Sequence, residues 1–495
     1  MPTISNRDLA ILAGILVLAA VLRIVGLDAP LWFDEIVTLT ESVRAPFGEL
    51  VTRYSTNNHM LYSLEAKAVI ALLGEHAWTL RLPAMLFGVA SIAAIWWLAR
   101  PIVGTVQAHV TAGLLAVSYH HIWFSQNARG YTELLFLSIL GTILFLDGLR
   151  RPSWGRWCGF GLALALAAYT HLTGAFFFAA LGLVYLGVLV RRHLWRPAGA
   201  APAGLGEIVA GELKPVAGFA LGGLLTLLLY APLFPDVVSA VGEVSQTSAV
   251  DAMKEYQNPL WTLVEAVRTL TGPGALMALI GAGALVLTGL GIAVTARREP
   301  LFGWIVVASI ALTAVMLSLL SMRIWPRFFF VDIGFIMMLI VAGVAAVCGF
   351  LAEKARALVR LPVGAGSLFA LACLAMVALS GLLAARNYEA PKQDLEGAYR
   401  LVESERAPGD RIYAVGVGRT PFVTYYRAGW GDLATRGELE ASLAAPGRTY
   451  VIVAFPQRAR RAQSEVMGAV EAELETARLF PGTLGDGNVL VFRSR

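Results

Sequence analysis

Long apolar runs with few charges constrain this chain more than anything else in it. Eleven stretches approach or reach the roughly 20 apolar residues needed to cross a bilayer. They are Leu9–Val25, Pro83–Leu98, Thr105–Phe124, Tyr131–Leu149, Trp157–Tyr169, Gly174–Val190, Pro215–Ala231, Ala275–Ala296, Leu301–Leu320, Phe328–Leu351 and Pro362–Ala385. Trp157–Tyr169 is the shortest. With 57% hydrophobic and 15% charged residues, little chain is left to coat a water-soluble surface. Lipid satisfies no backbone polar group, so such runs fold as helices. The expected class is a polytopic α-helical membrane protein of about eleven spans.

Charge placement gives an expected orientation. Arg100, the group Arg150, Arg151 and Arg156, the group Arg191, Arg192, Arg196 and Lys214, the pair Arg297 and Arg298, and the group Lys354, Arg356 and Arg360 occupy alternate connections. Basic residues concentrate in cytoplasmic loops, which puts the N-terminus in the cytoplasm and the C-terminus outside. The net charge of +5 is thereby accounted for without nucleic acid as a partner. Cys158, Cys348 and Cys373 all lie inside apolar runs, so they read as small buried apolar residues and no disulfide framework is expected. Arg7 precedes the first run, but no small-x-small cleavage site follows it, so the run reads as a retained span.

On this topology three long segments face outward: loops 26–82 and 232–274, and the tail from Arg386. Phe47, Leu50, Val51 and Tyr54 make an apolar helical stripe in the first loop, suited to the membrane interface or to packing on the bundle. In the tail, Arg411–Val417, Thr449–Phe455 and Asn488–Phe492 read as strands, with helical stretches Leu433–Ala444 and Gln457–Leu479 between them. That alternation predicts a small α/β domain over 386–495, beyond a membrane domain over 1–385.

The outward turns carry the polar chemistry. Asp34 and Glu35 follow Leu31-Trp32-Phe33, just after the first run. Carboxylates beside a membrane are costly without a use, and a carboxylate can take a proton from a sugar hydroxyl. The plainer reading, a helix cap, stays open. Adjacent helical residues point about 100° apart, so the two acids should have different jobs. One could deprotonate an acceptor while the other orients it or shares a divalent cation such as magnesium or manganese. His59 and Tyr62 lie in Asn57-Asn58-His59-Met60-Leu61-Tyr62, where they suit either sugar hydrogen bonds or interfacial anchoring. Arg129 and Tyr131 lie in the turn Tyr119–Tyr131, with Arg129 placed for a phosphate or for an i, i+4 pair with Glu133. His171 occupies a third turn, and Arg323 and Arg327 a fourth. The guanidinium fork suits phosphate, although snorkelling would also explain arginine there. No Walker loop, GxGxxG junction or HExxH appears. A sugar handled outside the cell would therefore arrive on a lipid phosphate.

Taken together, these residues resemble the GT-C membrane glycosyltransferases, nearest to the bacterial branch related to protein O-mannosyltransferases and the lipid A aminoarabinose transferase. Leu31-Trp32-Phe33-Asp34-Glu35 resembles the family's first-loop motif. His59-Met60-Leu61-Tyr62 is similar to its His-Pro-Pro-Leu-Tyr segment, with Met60 where proline is usual. Ala128-Arg129-Gly130-Tyr131, Tyr169-Thr170-His171, Pro326-Arg327-Phe328 and Pro391-Lys392-Gln393-Asp394 resemble later landmarks in the same order. The resemblance implies Asp34 as general base and outer-loop cations as holders of the lipid phosphate, Arg129 and Arg327 first, then Arg323 and Lys392. It implies an inverting glycosyltransferase in the bacterial cytoplasmic membrane, moving a sugar from polyprenyl phosphate to a glycan, lipid or protein hydroxyl on the outer face. A transporter or flippase of lipid-linked sugar is the rival. Against it, transporters put functional charge at mid-bilayer on repeated, broken helices.

Overall fold

The computed structural model describes residues 4–55, 58–195, 205–239, 275–359 and 364–495. Most of the loop 232–274, together with Asn57, Arg196 and Arg360, lies outside them. Each apolar run is mainly helical where described. Among the described residues, seven helices, from Ala77–Val103 to Ala365–Glu389, are long and apolar enough to cross a membrane. The runs beyond those seven form shorter or more charged helices, including Asn6–Ile24, Thr105–Ala116, Trp154–Thr170 and Leu279–Thr295. The chain is a multi-pass membrane protein. Cys158 departs from its expected burial and is exposed on its helix; Cys348 and Cys373 are buried.

Two departures from the sequence reading matter for the site. The run 105–124 is interrupted: the Ser118 hydroxyl caps a second helix, Tyr119–Ser125, by accepting the His121 amide. The turn that follows is thereby aimed back at the first span. Within it, Arg23 is fully buried and donates to Ser125 Oγ (3.0 Å) and to the carbonyls of Ala19 (2.8 Å) and Ala116 (3.1 Å). An arginine removed from water must find such acceptors, and here they lock the helix Asn6–Ile24 to the turn. The second departure is the helix Ala77–Val103, which begins six residues before the apolar run and carries Arg81 inward.

The first-loop stripe is much shorter than expected. Only Phe47–Leu50 is α-helical, with Leu50 buried and Phe47 exposed. The helix Phe33–Val37 instead runs directly into a wider helical segment, Thr38–Val43.

The tail is the expected α/β domain. Strands β1 (Arg411–Ala414), β2 (Gly431–Asp432), β3 (Thr449–Ala454), β4 (Glu475–Phe480) and β5 (Val489–Arg493) form one sheet in the order β2-β1-β3-β5-β4. β1 pairs in parallel with β2 and β3, whereas β5 is antiparallel to β3 and β4. The predicted helix 457–479 divides into Pro456–Ala462 and Ser464–Glu473, and β4 takes most of its end. One face of the sheet shares a core with Leu31, Ile36, Leu39 and Tyr62 of the first loop. The domain therefore sits directly on the segment that carries Asp34.

Candidate active site

Two short elements build the site. The helix Phe33–Val37 presents Asp34 and Glu35 in its first turn, where acids are favoured by the helix dipole. The turn Ser125–Tyr131 faces it and is held from several sides. Gln126 Nε2 donates to the carbonyls of Arg23 (3.0 Å) and Val25 (2.5 Å), closing the end of the first span. Asn127 Oδ1 accepts from Trp32 Nε1 (3.1 Å). Gly130 is required by close approach: a Cβ there would meet Thr170 Cγ2 at 2.5 Å and His59 Nδ1 at 3.2 Å.

Asp34 sits between two guanidiniums. Its Oδ2 lies 3.4 Å from Arg327 Nη1 and 3.6 Å from Arg129 Nη1. Its side chain is 15% exposed, so a substrate can reach it. Arg129 thus turns to Asp34, and the i, i+4 pair with Glu133 does not form.

Glu35 has the opposite character. It is fully buried. Arg81 grips it with two bonds, Nε to Oε1 (2.7 Å) and Nη2 to Oε2 (2.6 Å). The Ala128 amide donates to Oε1 (2.8 Å) and the Trp32 amide to Oε2 (3.3 Å). Burial pushes this carboxyl up. Arg81, Lys392 and the Ala128 amide outweigh that and hold it below the usual carboxylate range. With both oxygens engaged, Glu35 has nothing left for a metal or an acceptor. It ties the Asp34 helix to the Arg129 turn. Arg81 escaped sequence reasoning because it precedes the apolar run. The available signal was chemical: an acid buried beside the membrane demands a cation nearby.

The other sequence candidates divide. His59 and His171 cluster with Tyr131 next to the arginines, with ring centroids 4.8 Å apart for both the tilted pair His59–His171 and the edge-on pair His59–Tyr131. Burial, followed by the Arg129, His171 and Arg327 charges, keeps His59 well below its ordinary value. The same forces push His171 down to about 3, and its Nδ1 is occupied by Thr173. Arg323 is half-buried, close enough to Arg327 and Arg458 to feel their charges. Tyr62 is turned away; its hydroxyl donates to the Leu80 carbonyl (2.6 Å) and braces the next helix. Lys392 makes its own contacts on the tail side. Its ammonium donates to the Gln126 carbonyl and lies 4.9 Å over the Trp123 ring. Burial lowers it to about 7 against the pull of Glu35. Both residues therefore brace the site from behind. Among the described residues, no group of three His, Cys, Asp or Glu side chains is arranged as a metal site.

The segment Thr38–Val43, continuous with the Asp34 helix, lines a cavity of about 650 Å³. Its walls include Glu41, Arg44, Glu49, Arg53, Asn58 and Asp236. Asn58 joins it to His59, and Thr40 is six residues on from Asp34.

A family model of dolichyl-phosphate-mannose-protein mannosyltransferases matches residues 60–206. No curated protein matches the chain. Among solved structures, ArnT from Cupriavidus metallidurans in its apo state is similar over 97% of both chains, with 15% identity and a TM-score of 0.53. The Archaeoglobus fulgidus oligosaccharyltransferase in its apo form is similar over 93% of this chain and 72% of its own, with 12% identity and a TM-score of 0.53. AglB from the same organism, solved with an inhibitory peptide and a dolichol-phosphate, covers 95% and 72% at 11% identity and a TM-score of 0.52. Likeness of this extent at so low an identity shows a shared fold, and the chain has the GT-C fold of these structures.

Proposed function

We propose that the chain is an inverting glycosyltransferase that moves a sugar from a polyprenyl phosphate to an acceptor hydroxyl at the outer face of a bacterial cytoplasmic membrane. One observation carries the reading: a reachable carboxylate, Asp34, shares its place with Arg129 and Arg327. An acid and two phosphate-binding groups at one point are what this transfer needs. The dolichol-phosphate bound to AglB, which has the same fold, supports a lipid phosphate as carrier.

The donor phosphate would bind the two guanidiniums, drawing them from Asp34 and leaving that carboxylate free to accept a proton. The acceptor would approach through the cavity beside Thr38–Val43. As its hydroxyl oxygen attacks the anomeric carbon, Asp34 takes the proton and the carbon–phosphate oxygen bond breaks on the opposite face. The electron pair leaves with the phosphate, and Arg129 and Arg327 stabilise the charge that develops there. Glu35 and Arg81 take no part in bond changes; they fix the distance between base and cations. Glu35 is saturated by protein donors and offers no free oxygen to a magnesium or manganese ion.

The test compares envelope glycans, lipids and glycoproteins by mass spectrometry in cells with the wild-type chain, with none, and with Asp34→Asn. The expected result is a mass increment of one sugar unit that appears with wild type and disappears in both other strains. An increment that persists with Asp34→Asn at normal expression would refute the assignment.

A further inference from the structure

Beside the arginines lies a group of buried polar side chains that the transfer chemistry above leaves unused. His59 is 2% exposed, and neither ring nitrogen has a hydrogen-bond partner. Glu133 is fully buried, and neither of its oxygens has one. The same is true of Glu65 Oε2 and of the Tyr131 hydroxyl. These atoms belong to one place. His59 Nδ1 and Glu133 Oε2 both lie 3.2 Å from the position a Cβ would take at Gly130. Glu65 and Glu133 feel each other's charge, and Tyr131 packs edge-on against His59. The nearby Thr170 hydroxyl has already given its hydrogen to the Leu166 carbonyl (2.8 Å).

An unpartnered buried polar atom costs about 1–3 kcal/mol, so several in one place mark a position for something that supplies the missing bonds. We propose that His59, Glu65, Tyr131 and Glu133 form a subsite for the hydroxyl groups of the sugar carried by the lipid phosphate. This rests on the glycosyltransferase reading and adds Glu65 and Glu133 to its machinery as binding residues. The donor inventory fits. The carboxyl groups bring several acceptor lone pairs, and burial raises Glu65 to about 7, so that it can also donate an O–H. A neutral imidazole adds one donor and one acceptor, and the phenol can do either. Each sugar hydroxyl donates once and accepts, so such a mixed set suits it, whereas a phosphate oxygen only accepts and is repelled. The rings of His59, Tyr131 and His171 add flat walls beside the polar groups. The place adjoins Arg129, whose guanidinium lies 5.9 Å over the Tyr131 ring, so a sugar here would have its phosphate towards the arginines.

The experiment measures binding to the full-length chain in nanodiscs of bare polyprenyl phosphate and of hexosyl, N-acetylhexosaminyl and pentosyl polyprenyl phosphates. Wild type should prefer at least one sugar-bearing lipid. Glu133→Gln and His59→Ala should each reduce that preference about tenfold, the effect of one lost hydrogen bond to a charged or buried group. Binding of the bare lipid should stay within twofold. Glu65→Gln, at a less buried position, provides a variant that should fold even if Glu133→Gln does not, with the same expected loss. Equal weakening of bare and sugar-bearing lipids, or an unchanged preference in all variants, would overturn the subsite. Wild-type binding of bare lipid with no preference for any sugar would overturn the subsite alone. No binding of any polyprenyl phosphate would overturn the glycosyltransferase reading with it.

Discussion

Exchanging each acid of the Asp34–Glu35 pair for its amide should separate catalysis from architecture. Glu35→Gln keeps the shape of the side chain but leaves Arg81 charged at 2% exposure with no counter-ion in its fork. Arg81 would retain the carbonyls of Leu27 (2.8 Å) and Ala29 (2.7 Å), which solvate but do not neutralise it. Breaking one side of a buried ion pair costs about 3–5 kcal/mol. A glutamine oxygen can still accept from Ala128, so the lower end of that range applies. At about 2–4 °C per kcal/mol for a domain of 150–250 residues, the apparent melting temperature should fall by at least about 6 °C. Asp34→Asn removes a charge that makes only two longer single contacts, at 3.4 and 3.6 Å, in place of a two-pronged grip. Its melting temperature should fall by less than that of Glu35→Gln while sugar transfer is lost. The assay is a fluorescence-detected melt of purified protein beside the mass-spectrometric transfer assay. Acidification should act in the same direction as Glu35→Gln. The folded-state pKa of Glu35 is depressed, so its contribution is complete above the ordinary value of 4.5 and is lost as pH falls through the folded value. The reasoning fails if Glu35→Gln melts like wild type, or if Asp34→Asn is the less stable of the two.

Three further outcomes are expected. Arg327→Lys should lower transfer by about 10²-fold with stability preserved, because an ammonium cannot reproduce the two-pronged grip on a phosphate; full activity in that variant would remove Arg327 from the donor site. Lys392 should make the protein more stable as pH rises from about 7 towards 10.5, since in that window the unfolded chain holds its proton and the folded chain does not. Melting curves across pH should show a slope of at most about 1.4 kcal/mol per unit, and Lys392→Met should flatten it. Phe455 adopts a left-handed backbone (φ 54°) and packs edge-on against Phe33 at 5.2 Å. Phe455→Gly should relieve about 1–2 kcal/mol of backbone strain and lose an aromatic pair worth about 0.5–1.5 kcal/mol. Hydrogen exchange should then report faster opening of the Phe33–Val37 helix at nearly unchanged global stability; equal protection there would show that the sheet domain does not steady the Asp34 helix.

The fold class followed from the sequence because lipid leaves the backbone so few choices. Apolar runs of membrane length must become helices, and β3 was legible for a related reason: a strand buried on both faces is apolar throughout. Asp34 drew notice for its chemistry, since an acid beside a membrane stands out against its surroundings, and the structure sets it between Arg129 and Arg327. Pairing was not legible. Leu474 turns extended, and β4, charged and helical in composition, becomes a strand only because β5 offers it hydrogen bonds. Glu35 and Asp34 differ by one position in sequence, yet one is sealed against Arg81 and the other opens between Arg129 and Arg327. Lys392 and Tyr62 carried the right chemistry for a binding site, and the structure gives them contacts with Gln126 and Leu80 that no pattern in the sequence announces. Sequence periodicity and charge determined which segments enter the membrane and which residues could do chemistry. Only the tertiary structure decided which of those residues meet, because the partner that neutralises, braces or exposes a side chain comes from a distant part of the chain.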